Sequence, residues 1–291
     1  MTDAFRSLAA RAEAVPYHAS LGIRVEAVEA ERVRIRIPYA DANSNPGRAL
    51  HGGVYASAIH AAGTLAAEAG LDDAARESRT LDLSVCYLAA AIGEDIVAEA
   101  RILRRGRELA YAAVDVRNDA GKALATGLLT HRAAPPGPSD RDLTRFEPGA
   151  APPAGDVPSL ARALVAVPFI AGRGMQITHM KDGRATVVMP WRPDNAVDAE
   201  RMHEGAIAAL LDTAGAMASW SLVGLDYRLK ASTVGIHVSG HGTARGEGVI
   251  ASARTIRRTN ESFANTATVH GAASGDLVAT GSVTYRIVVP T

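Results

Sequence analysis

The 291-residue chain has a single cysteine, three lysines and few aromatics: 7 Tyr, 4 Phe and 2 Trp. One cysteine, Cys86, excludes an internal disulfide, and its place in an apolar run predicts a small buried side chain. Neither sign of charge is in excess: 31 Lys+Arg face 31 Asp+Glu, which argues against a nucleic-acid binder held by bulk charge. No run approaches the ~20 apolar residues of a membrane span. The first residues, Met1 to Arg11, lack the apolar stretch of a signal peptide, so a cytoplasmic chain without a membrane partner is expected. His237 and His241 are four apart, a metal spacing on a helix. On a strand that spacing separates them by ~13 Å, and no metal site is expected.

What the chain does have is alanine, glycine and a repeat. Asn45-Pro46-Gly47-Arg48-Ala49-Leu50-His51-Gly52-Gly53-Val54 is a polar loop ending in a His and two glycines, and an Ala-rich segment follows to Gly70. Alanine is the best helix former, so the loop predicts a helix start. Glycine there lets another group approach the backbone. The free N–H groups and partial positive charge of a first helical turn suit a carbonyl oxygen that becomes negative during a reaction. Met202-His203-Glu204-Gly205-Ala206-Ile207 has the same layout. His51 and His203 stand 152 positions apart, as do Val15 and Val167, Gly53 and Gly205, and Gly63 and Gly215. Self-similarity at one offset marks a structural repeat.

The pattern around each loop repeats too. A short amphipathic helix over Met1 to Val15 ends at Pro16. Two strands lie within Ser20 to Ile37, and Arg32 to Ile37 alternates as a half-buried strand does. After the long helix come strands over Thr80 to Leu88, Glu94 to Arg104, Glu108 to Arg117 and Ala123 to His131. Arg132 to Pro158 holds seven of the 14 prolines and reads as a stiff linker. Two strands within Gly174 to Met189, a helix over Ala206 to Leu222 and four more strands from Thr233 to Val288 then restate the first half. The expected fold class is α+β, with an antiparallel sheet around one long helix in each half: 1–131, linker 132–158, and 159–291.

With Asn-Pro-x-Gly-x-x-His-Gly-Gly opening its helix, the chain resembles the hotdog-fold acyl-CoA thioesterases, most closely the phenylacetic-acid-pathway (PaaI) type, as a tandem double hotdog. Arg104 to Ala110 and Gly121 to Gly127 also resemble that type. The resemblance implies hydrolysis of an acyl-CoA to a carboxylic acid and free coenzyme A, with no cofactor beyond the coenzyme A of the substrate. It implies further assembly into a dimer of double hotdogs. It places the catalytic carboxylate nine residues after the His, which is Asp212 in the second half but His60 in the first. The second half departs further: Glu204 replaces the first Gly, and Val197 stands where the Asn should be, with Asn195 displaced by two positions.

Asp212 lies seven residues beyond Gly205, ~10 Å along the helix axis, too far to serve a carbonyl held at its own helix start. It can serve one at the neighbouring helix, and the resemblance likewise implies a site between two hotdogs. One pairing joins Asn45, His51, Gly52 and Gly53 to Asp212 and Thr213 and is complete. The other joins His203, Glu204 and Gly205 to His60 and lacks the carboxylate, so a degenerate second site is expected. In the complete site the free N–H of Gly53 would polarise the thioester carbonyl. Asp212 would activate water or attack directly. Asn45 would position the water or carbonyl, His51 the loop or thioester, and Thr233 would lend a hydroxyl. Arg104, Arg105, Arg107, Arg257 and Arg258 are candidates for the phosphates of coenzyme A. Two rivals remain open: a non-catalytic acyl-CoA sensor, and a hotdog enoyl-CoA hydratase.

Overall fold

The computed structural model describes residues 2–69, 71, 77–134, 155, 157–158, 167–226 and 228–288. Most of the expected Pro-rich linker lies outside the described residues. Its first residues, Arg132 to Ala134, continue the preceding strand.

Helix α1 (Asp3–Ala14) starts at Thr2, whose hydroxyl accepts the Phe5 N–H at 3.3 Å. Pro16 ends α1 and also opens a second helix, α2 (Pro16–Leu21), because its missing N–H is not needed at a first helical position. Val167-Pro168 does the same for a six-residue helix that the sequence pattern does not reveal. Strands β1 (Arg24–Val28) and β2 (Arg32–Ile37) lead through two short 3-10 turns into the long helix α3 (Gly52–Ala69). Strands β3 (Glu77–Tyr87), β4 (Ile96–Arg105), β5 (Leu109–Arg117) and β6 (Ala123–Ala134) complete the first half. The second half runs α4 (Pro168–Arg173), β7 (Gln176–Lys181), β8 (Arg184–Met189), α5 (Glu204–Trp220), β9 (Lys230–Gly240), β10 (Val249–Arg258), β11 (Ser262–Gly271) and β12 (Leu277–Val288).

All twelve strands form one antiparallel sheet in the order β1-β2-β4-β5-β6-β3-β9-β12-β11-β10-β8-β7. Read inward from either edge the order is the same, and the halves meet where β3 pairs with β9 from Asp82↔Ser239 to Cys86↔Gly235. Both long helices are buried almost all round, as their alanine content requires, and pack against the sheet and each other. Glycine permits the closest approaches: a Cβ at Gly215 would stand 2.5 Å from the Val283 side chain, and one at Gly63 3.3 Å from Leu129. The buried apolar residues form one cluster spanning both halves rather than two separate cores. Cys86 corrects the expectation of burial. Strand β3 alternates, turning Leu83 and Val85 to the core and Cys86 to solvent.

Candidate functional site

The two helix starts share one device. His51 Nδ1 accepts the Gly53 N–H at 2.9 Å, and His203 Nδ1 accepts the Gly205 N–H at 2.9 Å, so each histidine caps the helix it precedes. An accepting Nδ1 leaves the ring proton on Nε2. Burial holds the His51 ring down to about 4, so it is neutral at physiological pH. Each cap is also covered by a ring from the opposite half: Phe169 stacks on His51 at 4.3 Å and Tyr17 on His203 at 4.5 Å. The short helices after Val15 and Val167 thus cross over to brace each other's loops.

This capping corrects the expected role of Gly53. Its N–H is taken by His51, and the Val54 N–H by the His51 carbonyl at 2.9 Å. The N–H with no partner among the described residues is that of Gly52, the first residue of α3. Gly53 has a packing role instead: a Cβ there would stand 2.5 Å from the Cβ of Ala209 on α5, so its absence lets the helices touch.

Asp212 comes from the middle of α5 and faces that start. Its Oδ2 lies 2.7 Å from where a Gly52 Cβ would be. Its Oδ1 accepts the Thr233 hydroxyl at 2.7 Å. The residue is 3% exposed. Burial pushes its carboxyl up to about 6, with the Thr233 bond working the other way. A cavity of about 410 Å³, of the size that holds small ligands, opens beside it. Asn45, His51, Gly52, Asp212, Thr213 and Thr233 all line it; of the residues paired from the sequence, Gly53 does not. Thr213 contributes no free hydroxyl, because its Oγ1 donates to the Ala209 carbonyl at 2.9 Å. Three wall residues had no signal in the sequence: Tyr87, whose hydroxyl donates to the Gly52 carbonyl at 3.2 Å, and the hydrogen-bonded pair Trp220 and Tyr285. Tyr87 and Tyr285 arrive from strands β3 and β12, and Trp220 from the end of α5.

The arginine candidates do not line this cavity. Arg105 reaches the Ala67 and Ala66 carbonyls at 2.5 and 3.0 Å, closing the C-terminal end of α3. Arg258 donates to the Leu222 carbonyl at 3.1 Å, just beyond α5. Two cations at helix ends satisfy carbonyls left over by the ladder, which occupies the heads expected to meet phosphate. Arg104, Arg107 and Arg257 are exposed.

His203, Glu204 and His60 of the other expected pairing line a second cavity of about 200 Å³, from which Gly205 is absent. Glu204 extends across it. Its Oε2 lies 2.9 Å from His60 Nε2, which is also 2.9 Å from the Thr80 hydroxyl, and the Thr80 N–H donates to Glu204 at 3.1 Å. Burial raises the Glu204 carboxyl, but the His60 hydrogen bond and charge and the Thr80 bond outweigh it, leaving the group below its ordinary range. His203 Nε2 meets His18 Nε2 at 3.0 Å. Asn195 is not a displaced Asn45. It is the counterpart of Asn43: each donates from Nδ2 to the carbonyl at the end of a short helix, Leu21 or Arg173, at 2.9 Å. Each also accepts the N–H of the capping histidine on its own carbonyl.

Residues 47–125, from the loop before His51 into β6, match the family model "Thioesterase superfamily". Mouse acyl-coenzyme A thioesterase 13 is 31% identical over 102 residues, covering 34% of this chain and 71% of that protein. Among solved structures, a hot dog fold protein of unknown function from Alicyclobacillus acidocaldarius is similar over 100% of both chains, with TM-score 0.66 and 17% identity. An acyl-CoA thioesterase II from Mycobacterium marinum covers 94% of this chain and 96% of its own, with TM-score 0.61 and 15% identity. By the capped helix start, the fold and these relatives, the chain belongs to the thioesterase superfamily.

Proposed function

We propose that the protein is a tandem double hotdog that hydrolyses an acyl-CoA thioester at one site, between the start of α3 and the middle of α5. One observation carries this reading: the buried Asp212 carboxyl lies against Gly52, whose N–H has no partner among the described residues, and both residues line a ligand-sized cavity. The Gly52 N–H, at the positive end of the helix dipole, holds the thioester carbonyl oxygen. Asp212 takes a proton from water, and the water oxygen bonds to the carbonyl carbon. Collapse of the oxyanion breaks the C–S bond, and the coenzyme A thiolate leaves to take up the proton. A carboxyl at about 6 suits a general base near neutral pH. The side-chain amide of Asn45, on the cavity wall and without a partner among the described residues, positions the water. Neutral His51 keeps the first turn of α3 in place by capping it.

In the second cavity the Glu204 carboxylate occupies the space a thioester would need, and His60 is already engaged by it. That site is degenerate. The test is thiol release from a panel of acyl-CoAs by the parent and by Asp212→Asn. Release by the parent and its loss in the variant support the reading; equal release by both refutes it.

A further inference from the structure

Beyond Asp212 and Thr233, the wall of the catalytic cavity holds a phenol with a proton to give. Tyr285 is 9% exposed and lines the cavity. Its oxygen accepts the Trp220 Nε1–H at 3.1 Å. Indole can only donate, so the phenol proton must find its acceptor elsewhere, and none of the described residues supplies one. Burial pushes the phenol further up, so it keeps that proton. Around it the wall is apolar: Met217, Leu225 and Leu229. A buried donor without an acceptor is costly, so an occupant that accepts from it is favoured over one that does not.

The position of Tyr285 relates it to the reacting centre. It is the cross-strand partner of Thr233, the residue that holds Asp212. Trp220 lies eight residues beyond Asp212 on α5, ~12 Å of axial rise, so the pair stands toward the C-terminal end of α5 in the same cavity, the channel an acyl chain would follow from the carboxyl. The second cavity has different residues at both positions. Glu68 occupies the Trp220 position of the repeat, and His131, the partner of Thr80, takes that of Tyr285. The apolar wall with one donor belongs to the Asp212 cavity alone of the two.

We infer that the acyl group this site takes ends in an oxygen that accepts a hydrogen bond from Tyr285, and that Tyr285 selects such acyl groups over plain hydrocarbon tails. This rests on the thioesterase reading above. A hydrocarbon tail leaves the phenol donor dry and unpaired, whereas a hydroxyl, keto or ether oxygen at the channel end satisfies it. Sites built around a hydrogen-bonding group discriminate by the unpaired polar atom an analogue leaves behind.

The experiment compares ω-methoxyacyl-CoAs with plain acyl-CoAs of equal chain length, from four to eight carbons. A terminal ether accepts but cannot donate. At the fitting length the ether substrate is expected to exceed its plain counterpart about tenfold in kcat/KM, the worth of one buried hydrogen bond. In Tyr285→Phe that ratio is expected to collapse toward one. Affinities of the matching thioether analogues, followed by Trp220 fluorescence, read the same preference without turnover and without a variant. Thiol release with no preference at any length overturns this inference and leaves the thioesterase reading in place. A thioether preference without thiol release overturns hydrolysis and keeps the selection by Tyr285. Neither release nor preference overturns both.

Discussion

The starts of α3 and α5 carry the same cap, a covering ring from the other half and a facing helix of similar composition, but two substitutions at the helix starts and opposite them set the cavities apart. Facing the start of α3 is Asp212; facing the start of α5 is His60. The residue bearing the unpartnered N–H is Gly52 in one and Glu204 in the other. Exchanging carboxylate and non-carboxylate between these positions changes what each cavity can do. With glycine at the helix start and the acid opposite, the N–H and the carboxyl both face an open space. With glutamate at the helix start and histidine opposite, the carboxylate folds over and is bound by His60 and Thr80. A carboxylate beside a helix N-terminus is stabilised by the dipole, so Glu204 is a substrate-like occupant supplied by the chain itself.

The contrast predicts paired outcomes. Asp212→Asn lowers thiol release by ~10²–10⁴-fold, the range expected for loss of a general base, while His60→Gln leaves release close to the parent. Equal losses in an acyl-CoA assay would dissolve the distinction between the cavities. Gly52→Ala brings a Cβ to 2.7 Å from the Asp212 carboxyl and disturbs the N–H proposed to hold the oxyanion. A loss of about 10²-fold in kcat is expected, with no comparable loss in Glu204→Ala. Thr233→Val removes the hydrogen bond that lowers the Asp212 carboxyl. The acid limb of the pH–rate profile, which rises through about 6 in the parent, then moves to higher pH. At pH 6 the variant is about tenfold slower, and Thr80→Val does not move the limb.

The smallest effect is on stability. Asp212 has a folded pKa of about 6, above the ~3.9 of an unfolded aspartate. Between those values the folded chain holds more protons than the unfolded one, so stability is lost as pH rises through the window. Above pH 6 the ionised carboxylate costs the fold up to ~3 kcal/mol. Asp212→Asn should therefore melt higher than the parent at pH 7.5, with the difference shrinking toward pH 4. A melting temperature that falls at both pH values would mean that the carboxylate is held by partners rather than strained by burial.

Much of the architecture was legible because it rests on short-range rules. Alternation marked β2, alanine marked both long helices, and Pro/Gly clusters marked the turns. The shared offset of 152 joined Gly53 to Gly205 and Gly63 to Gly215, although their jobs became visible only in three dimensions; Asn195 read as a displaced Asn45, and only the fold pairs it with Asn43. The acid in the middle of α5 was legible because the repeat offered a His at the same place for comparison. Other features were not. Cys86 read as buried from an apolar run, since alternation in β3 is masked by small residues. Arg105 and Arg258 read as phosphate ligands because a turn arginine has the same sequence signature whether it meets a ligand or a helix end.

The amino-acid order determined that the chain would build two long helices behind matching His–Gly loops, and that a carboxylate would stand nine residues after the His in the second half only. Helix propensity and strand alternation act over a few residues, so they are written locally. The packed molecule decided that Gly52 rather than Gly53 has the spare N–H, because only the folded loop brings His51 Nδ1 onto Gly53. It also decided that Asp212 would be dry enough to hold its proton to about 6, and that Trp220 and Tyr285 would close the far wall. Burial and shared hydrogen bonds depend on what the distant half of the chain places alongside.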